Sequence, residues 1–333
     1  MRSLSTSRDV SNLFRRKGWI TESSQIVVSA MEGGVSCHTW KIVTDLSRWV
    51  LKQPLAKLNT EIEWFSDIRR INREADALRL LSTLLEPDSV PTLEFEDDET
   101  HSIVMTCAPD EAENWKTQMM GGILQEKTAA NAGELLDQIH ARSKQISSAE
   151  QSKFEDIRYF EQLRIEPFHR YLQVKHPVLR SSIETLIDAV RNRRTCFTHG
   201  DYSPKNMLVN PDSSIILLDF EVAHWGNPVF DLAYCLGHLM LKGWALDRKK
   251  EFGLMIGAFL EAYTLEAEPL LPHLGLMLLA RLDGTSTVEY IVNPEMQARI
   301  RTVAMKWILQ ARPASSNEYP SSKFNQIFQV LSL

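Results

Sequence analysis

His199-Gly200-Asp201-Tyr202-Ser203-Pro204-Lys205-Asn206, then Asp219-Phe220-Glu221 thirteen residues after Asn206, is the stretch that decides the reading of this chain. The two motifs flank an apolar strand-like run, Ile215–Leu218. The pattern is H-x-D-x-x-x-x-N, strand, D-F-E. Phosphoryl transfer explains these residue types. A loop aspartate orients an attacking hydroxyl and accepts its proton, while an amide oxygen and a second carboxylate hold Mg²⁺ against nucleotide phosphates. Hard oxygen ligands suit that metal. Each residue alone would pass as a turn or a strand start; the ordered pair of motifs between apolar runs is what carries the expectation.

Working outward, the segment before the motif divides the chain. Residues 8–19 place Val10, Leu13 and Phe14 at helical spacing. Strand-like runs follow at 26–30, 38–44 and 47–53, then a helical pattern from about Ile62 to Leu85, closed by Pro87 and Pro91. VPTLEFED and HSIVMTC supply two more strands. After Pro109 helical patterns dominate, at 126–146, 152–174 and 177–192, and again from about 228 to 311, interrupted by one β block at 195–224. The expected class is α+β, a protein-kinase-like two-lobed fold with a β-rich N-terminal lobe (1–108) and a larger, mostly helical lobe (109–312). A polar tail over 313–333 ends in a run fit for a short helix.

HGDYSPKNMLV and LLDFEVAHWGNPVFDLAY resemble the aminoglycoside phosphotransferase and choline kinase superfamily. The D-F-E triplet and the following F-D-L-A resemble its methylthioribose kinase-like branch. The resemblance runs from about Val28 to Trp307. It implies ATP and Mg²⁺ as cosubstrate and cofactor, Asp201 as catalytic base, and Asn206 and Asp219 as metal ligands. Glu221 departs from D-F-G; it either helps hold the metal or is a solvated loop carboxylate. Asp231 matches a family aspartate that supports the catalytic-loop backbone, with His199 as further support, and as a helix-start carboxylate it also has a capping role.

Lys52, in Trp49-Val50-Leu51-Lys52-Gln53, matches the strand lysine that meets ATP phosphates. Glu74 on the next helix is its expected partner, with Glu63 and Asp76 as competitors. Ser29 to Ser36 sits where a phosphate-covering loop belongs, and Gly33, Gly34 and Ser36 are its expected contacts, since glycine lets backbone approach phosphate. Met105, Thr106 and Ala108 form the expected hinge that bonds adenine through backbone groups. Arg281, in an otherwise apolar LGLMLLARL, and Trp225 are the expected acceptor contacts; Trp115 and Trp244 are other candidate walls. An arginine so placed faces either the acceptor or a carboxylate, Asp283 or Glu289.

The expected reaction is transfer of the ATP γ-phosphate to a hydroxyl of a small sugar-like or aminoglycoside-like molecule. No A-P-E follows D-F-E, and Asp231 comes only ten residues after Glu221, too soon for a peptide-docking segment. The alternative is a catalytically silent nucleotide-binding regulator of the same fold. With a net charge of −6 and a pI near 5.9, a basic face for nucleic acid is not the leading feature, although a local basic patch stays compatible with the sequence. The clusters Arg69/Arg70/Arg73 and Arg191/Arg193/Arg194 read as solvated helix faces. No run reaches the ~18 apolar residues of a membrane span. Four scattered cysteines without metal spacing fit a reducing cytoplasm. A homodimer stays compatible with the sequence.

Overall fold

The structure, a computed structural model, describes residues 3–31, 34–60, 63–265 and 269–312. The chain forms two compact units, Met1–Asp110 and the residues from Glu111 on.

The first unit is a five-stranded antiparallel sheet with two helices. Helix α1 (Ser7–Arg16) opens with a capping box, in which Thr6 and Asp9 satisfy each other's backbone N–H groups. Strands β1 (Ile26–Ala30), β2 (Cys37–Thr44) and β3 (Arg48–Pro54) follow, then α2 (Arg70–Leu84), β4 (Leu93–Asp97) and β5 (Ser102–Thr106). The sheet order is β1-β2-β3-β5-β4. Strand alternation sends Trp40, Ile42, Trp49 and Leu51 to one face, where Val10, Leu13 and Phe14 of α1 bury against them. This places three strands, a helix and two strands in the expected order. Helix α2 starts later than its apolar periodicity suggested, because the Asp67 carboxylate takes the Arg69 N–H at 2.9 Å and turns the chain first.

The reading of Arg70 and Arg73 as solvated is corrected: both are buried. The Arg70 guanidinium donates to the carbonyls of Ser36 (2.6 Å) and Leu55 (2.9 Å), tying the loop before β2 to the end of β3.

The second unit is mostly helical. It begins with β6 (Glu113–Asn114), α3 (Trp115–Met120), α4 (Glu126–Ser143), α5 (Ser148–Ser152) and α6 (Arg158–Phe160). The continuous helix expected over 152–174 is instead broken, and residues Glu161–Arg170 form a π-helical segment containing Pro167. Pro167 has no N–H for the Leu163 carbonyl, which accepts a bond from Arg164 Nη1 at 2.6 Å. Helices α7 (Tyr171–Lys175) and α8 (Arg180–Asn192) lead to short strands β7 (Cys196–Thr198), β8 (Met207–Val209), β9 (Ile215–Leu217) and β10 (His224–Gly226). These pair as β6-β8-β9 and β10-β7. Helices α9 (Val229–Ala245), α10 (Lys249–Ala262), α11 (Leu270–Asp283) and α12 (Pro294–Ile308) complete the unit. Helix α9 is buried from Val229 to Trp244, which matches its almost uninterrupted apolar sequence. The expected tail helix in 313–333 lies outside the described residues.

Candidate active site

In the first unit, Thr39 of β2 and Ile103 of β5 flank Lys52 of β3 in the sheet. Its ammonium reaches both oxygens of Glu74, at 2.7 and 2.9 Å, and Glu74 is fully buried on α2. The rival acids are engaged elsewhere, Glu63 with Lys57 at 2.9 Å and Asp76 with Arg79 at 3.3 Å. The Ser36 carbonyl is fixed by Arg70 and by the Leu55 N–H, and Gly34 lies two residues before it. Gly33 lies outside the described residues. Met105 and Thr106 belong to β5, and the Thr106 N–H is spent on the Thr92 carbonyl. Ala108 follows the strand.

In the second unit the catalytic-loop residues come together between β7 and β9. Asp201 is buried, and its carboxylate receives three groups: Arg164 Nη2 at 2.9 Å, Lys205 Nζ at 2.8 Å and Asn206 Nδ2 at 2.7 Å. Asn206 Nδ2 also bonds the Asp201 carbonyl, so its amide oxygen is the atom turned to other use. Burial alone would raise the Asp201 pKa, but Arg164 and Lys205 outweigh it and hold the carboxyl far below the usual carboxylate range. Arg164 in turn is kept charged, against its burial, by Asp201, Glu221 and Asp219. Three carboxylates therefore lie within electrostatic reach of one guanidinium. Sequence reading missed both Arg164 and Lys205.

The loop is held from beneath. His199 Nε2 donates to the Leu218 carbonyl at 3.0 Å, and its Nδ1 accepts from the Asp201 N–H at 3.1 Å, which defines the neutral tautomer. Burial lowers the His199 pKa against the pull of Asp231, Asp201 and Asp219. Asp231 accepts the backbone N–H groups of His199 (2.7 Å) and Gly200 (2.8 Å) and sits 3.3 Å from His140 Nε2. Its capping role is corrected: α9 has no side-chain cap, and the carboxylate is spent on the loop. Gly200 has φ +77°, and a Cβ there would meet the Val222 carbonyl oxygen at 2.9 Å. Asp219 also takes a left-handed backbone, φ +73°, a conformation of the kind that concentrates at functional sites.

Glu221 is buried, so it is not a solvated loop carboxylate. Among the described residues no group of three or more His, Cys, Asp or Glu side chains forms a metal site of its own. A magnesium site completed by phosphate oxygens needs fewer protein donors, and the Asn206 amide oxygen with the carboxylates of Asp219 and Glu221 are donors of the right hardness.

The two expected acceptor contacts part company. Trp225 is a buried residue of the β7–β10 ladder, its N–H bonded to the Phe154 carbonyl at 2.7 Å, and it packs as core. Trp115 and Trp244 are buried likewise. Arg281 does not pair with Asp283, which takes Arg301 (3.0 Å) and His176 (2.8 Å), nor with Glu289, which takes Lys116 (3.3 Å). Its guanidinium lies 5.1 Å from the Phe168 ring centre and 5.3 Å from that of Tyr234. The Arg164 guanidinium addresses the same two rings, at 5.7 and 5.8 Å.

A β-rich unit with a lysine–glutamate pair, and a helical unit with a clamped Asp-containing loop, define a kinase-like fold of the small-molecule type. The family model described as "Phosphotransferase enzyme family" matches residues 27–270, and the chain belongs to that family. It is thereby a small-molecule phosphotransferase. Its structure is similar to that of the spectinomycin phosphotransferase APH(9)-Ia in complex with ADP and spectinomycin, with a TM-score of 0.55 and 15% identity over 99% of this chain and 100% of the other. The macrolide 2'-phosphotransferase MphH from Brachybacterium faecium gives 0.52 and 18% over 94% and 100%, and the choline kinase LicA from Streptococcus pneumoniae gives 0.51 and 13% over 97% and 99%. No curated protein matches the chain in sequence. Among the described residues no helix is long and apolar enough to cross a membrane.

Proposed function

We propose that the chain transfers the γ-phosphate of ATP to a hydroxyl of a sugar-like small molecule, with Asp201 meeting that hydroxyl. The observation that carries this reading is the Asp201 carboxylate, buried and ionised, with Asn206 bridging its backbone and side chain. A base held so far below neutrality is a weak proton acceptor. Its work is to orient the hydroxyl and to take the proton late, which suits a loose transition state in which positioning and charge stabilisation dominate. Lys52, steadied by Glu74, would meet the ATP phosphates. Gly33, Gly34 and Ser36 would cover them, and the segment Met105, Thr106 and Ala108 would bond adenine. Asn206, Asp219 and Glu221 would hold Mg²⁺, which supplies charge neutralisation at the phosphates. His199 and Asp231 hold the loop and touch no reactant. The D-F-E triplet fits the methylthioribose kinase-like branch, which supports a sugar-like acceptor.

The test is a screen for ATP-dependent gain of one phosphate by mass, followed by Asp219→Ala. That variant is expected to lose Mg²⁺-dependent nucleotide binding. Unchanged Mg·ATP affinity in Asp219→Ala would remove the metal assignment, and a wild-type chain that never turns over ATP would favour the silent regulator.

A further inference from the structure

The cations Lys52, Arg164 and Arg70 each meet a carboxylate or several backbone carbonyls. Lys52 has Glu74 and Arg164 has Asp201. Arg70, wholly buried, is surrounded by backbone carbonyls, among them those of Ser36 and Leu55. A carboxylate or a set of oriented carbonyls offsets the cost of taking a charge out of water, which stays large even after relaxation.

Arg281 and Lys242 break that pattern. Arg281 is 8% exposed and Lys242 1%. The partners of Arg281 are all neutral: the Ser286 carbonyl (2.8 Å), Ser286 Oγ (3.0 Å), Tyr234 Oη (2.5 Å) and His238 Nε2 (3.2 Å). Its Nε has no partner. Lys242 has the His238 carbonyl at a long 3.4 Å and the Tyr290 ring at 5.5 Å. The Tyr290 hydroxyl is itself buried without a partner. Among the described residues no carboxylate lies within ion-pair distance of either cation, since Glu289 is engaged by Lys116. Arg281 and Lys242 thus lie within electrostatic reach of each other and of the single carboxylate Glu289, which is shared with Lys116, and Arg281 Nε and the Tyr290 hydroxyl are left idle.

Their place in the fold says what the missing anion is. Arg281 and Arg164 grip the same rings, Phe168 and Tyr234, and Arg164 holds Asp201. The geometry points to an acceptor that is itself an anion, carrying a carboxylate or phosphate group that Arg281 and Lys242 receive while its hydroxyl meets Asp201. This rests on the phosphotransferase reading above and narrows its substrate class: hydroxy acids, sugar acids or sugar phosphates are accepted, and polycations are repelled by like charge. Arg281 Nε and the Tyr290 hydroxyl supply the unspent donors for an oxyanion, with the guanidinium charge behind them. Burial, with Lys116 and Arg281 nearby and against the pull of Cys235 and Glu289, pushes the Lys242 ammonium down to about 7.

The experiment uses the full chain saturated with Mg·AMP-PNP, so that the nucleotide phosphates do not compete. Sulfate, inorganic phosphate and malonate are titrated against chloride at constant ionic strength and followed by calorimetry. The expected result is saturable binding of at least one of them, by phosphate and sulfate if the acceptor's group is a phosphate and by malonate if it is a carboxylate. Arg281→Gln and Lys242→Met should each weaken it about tenfold or more, as loss of a charge-assisted hydrogen bond does. Arg281→Lys, which keeps the charge, should weaken it less and shows whether a failed glutamine variant merely misfolds. No saturable anion binding, or binding unchanged in both neutral variants, overturns the inference while leaving the phosphotransferase reading intact. Failure to bind Mg·AMP-PNP at all would instead overturn that reading. ATP-dependent phosphorylation of an aminoglycoside that Arg281→Gln leaves unaltered would also overturn the anionic class.

Discussion

Two arginines share one aromatic clamp and differ in everything else. Arg164, from the π-helical segment, and Arg281, from α11, both lie over Phe168 and Tyr234. Arg164 has a carboxylate at 2.9 Å and two more within electrostatic reach. Arg281 has only hydroxyl, carbonyl and imidazole partners. The first side is balanced internally and holds a loop still. The second is balanced only when a ligand supplies the charge. A site can therefore be read by asking where the molecule has left its own electrostatics unfinished.

The largest expected effect comes from unbalancing the finished side. Asp201→Asn removes the anion beneath Arg164 and the group proposed to orient the acceptor. Turnover should fall by about 10²–10⁴-fold, with affinity for Mg·AMP-PNP preserved. A variant with near wild-type kcat on the acceptor found by screening would remove Asp201 from the chemistry. Next in size is the contrast between the two guanidiniums. Arg164→Met leaves the buried Asp201 carboxylate to Lys205 and Asn206 alone and should lower stability by about 2–4 kcal/mol, whereas Arg281→Met strands no charge and should cost under about 2 kcal/mol. Chemical denaturation measures both, and equal costs would show that the two sites do not differ electrostatically. Asp231→Ala should follow. It leaves the His199 and Gly200 N–H groups buried without acceptors, at about 1–3 kcal/mol each, and lowers kcat through the loop while leaving nucleotide affinity intact. Loss of nucleotide binding without loss of kcat would contradict a positioning role.

The balanced side was the more legible in sequence. His199, Asp201, Asn206 and Asp219 lie in one short stretch, so a linear pattern captures them, and the strand–helix order led from Lys52 to Glu74. Arg164 was hidden because its link to Gly200 and Asp201 spans 36 residues and more, and because the π-helical segment that aims it has no clear periodicity. Pro167 inside an otherwise helical run was the available clue. Lys205 was in view four residues after Asp201, but a lysine beside a turn carries no distinguishing pattern. Arg70 looked solvated because periodicity counts charge and not the backbone carbonyls that can absorb it. For Arg281 the sequence offered Asp283 and Glu289 as partners by proximity alone. It could not say that Arg301 and His176 claim the first and Lys116 the second, since those arrive from other elements.

The smallest effect, and the finest test of the unfinished side, is the pH dependence of stability. Lys242 ionises near 10.5 in the unfolded chain and near 7 in the folded one. The groups that face it are Lys116 of α3, Arg281 of α11, Glu289 and Tyr290 beyond α11, and Cys235 and His238 on its own helix. Between those two values the unfolded chain binds the extra proton, so stability rises with pH across that window, and below about 7 the penalty of the buried ammonium is present in full. Lys242→Met carries no such proton. Denaturation midpoints followed from near-neutral to alkaline pH should climb less steeply in the variant, by at most one proton's worth of slope. A bound anion favours the ammonium, so saturating sulfate or malonate should move the wild-type rise to higher pH and leave the variant's curve in place. Parallel curves for the two proteins, with and without anion, would mean that Lys242 is neutralised in some other way and that Arg281 faces the acceptor alone.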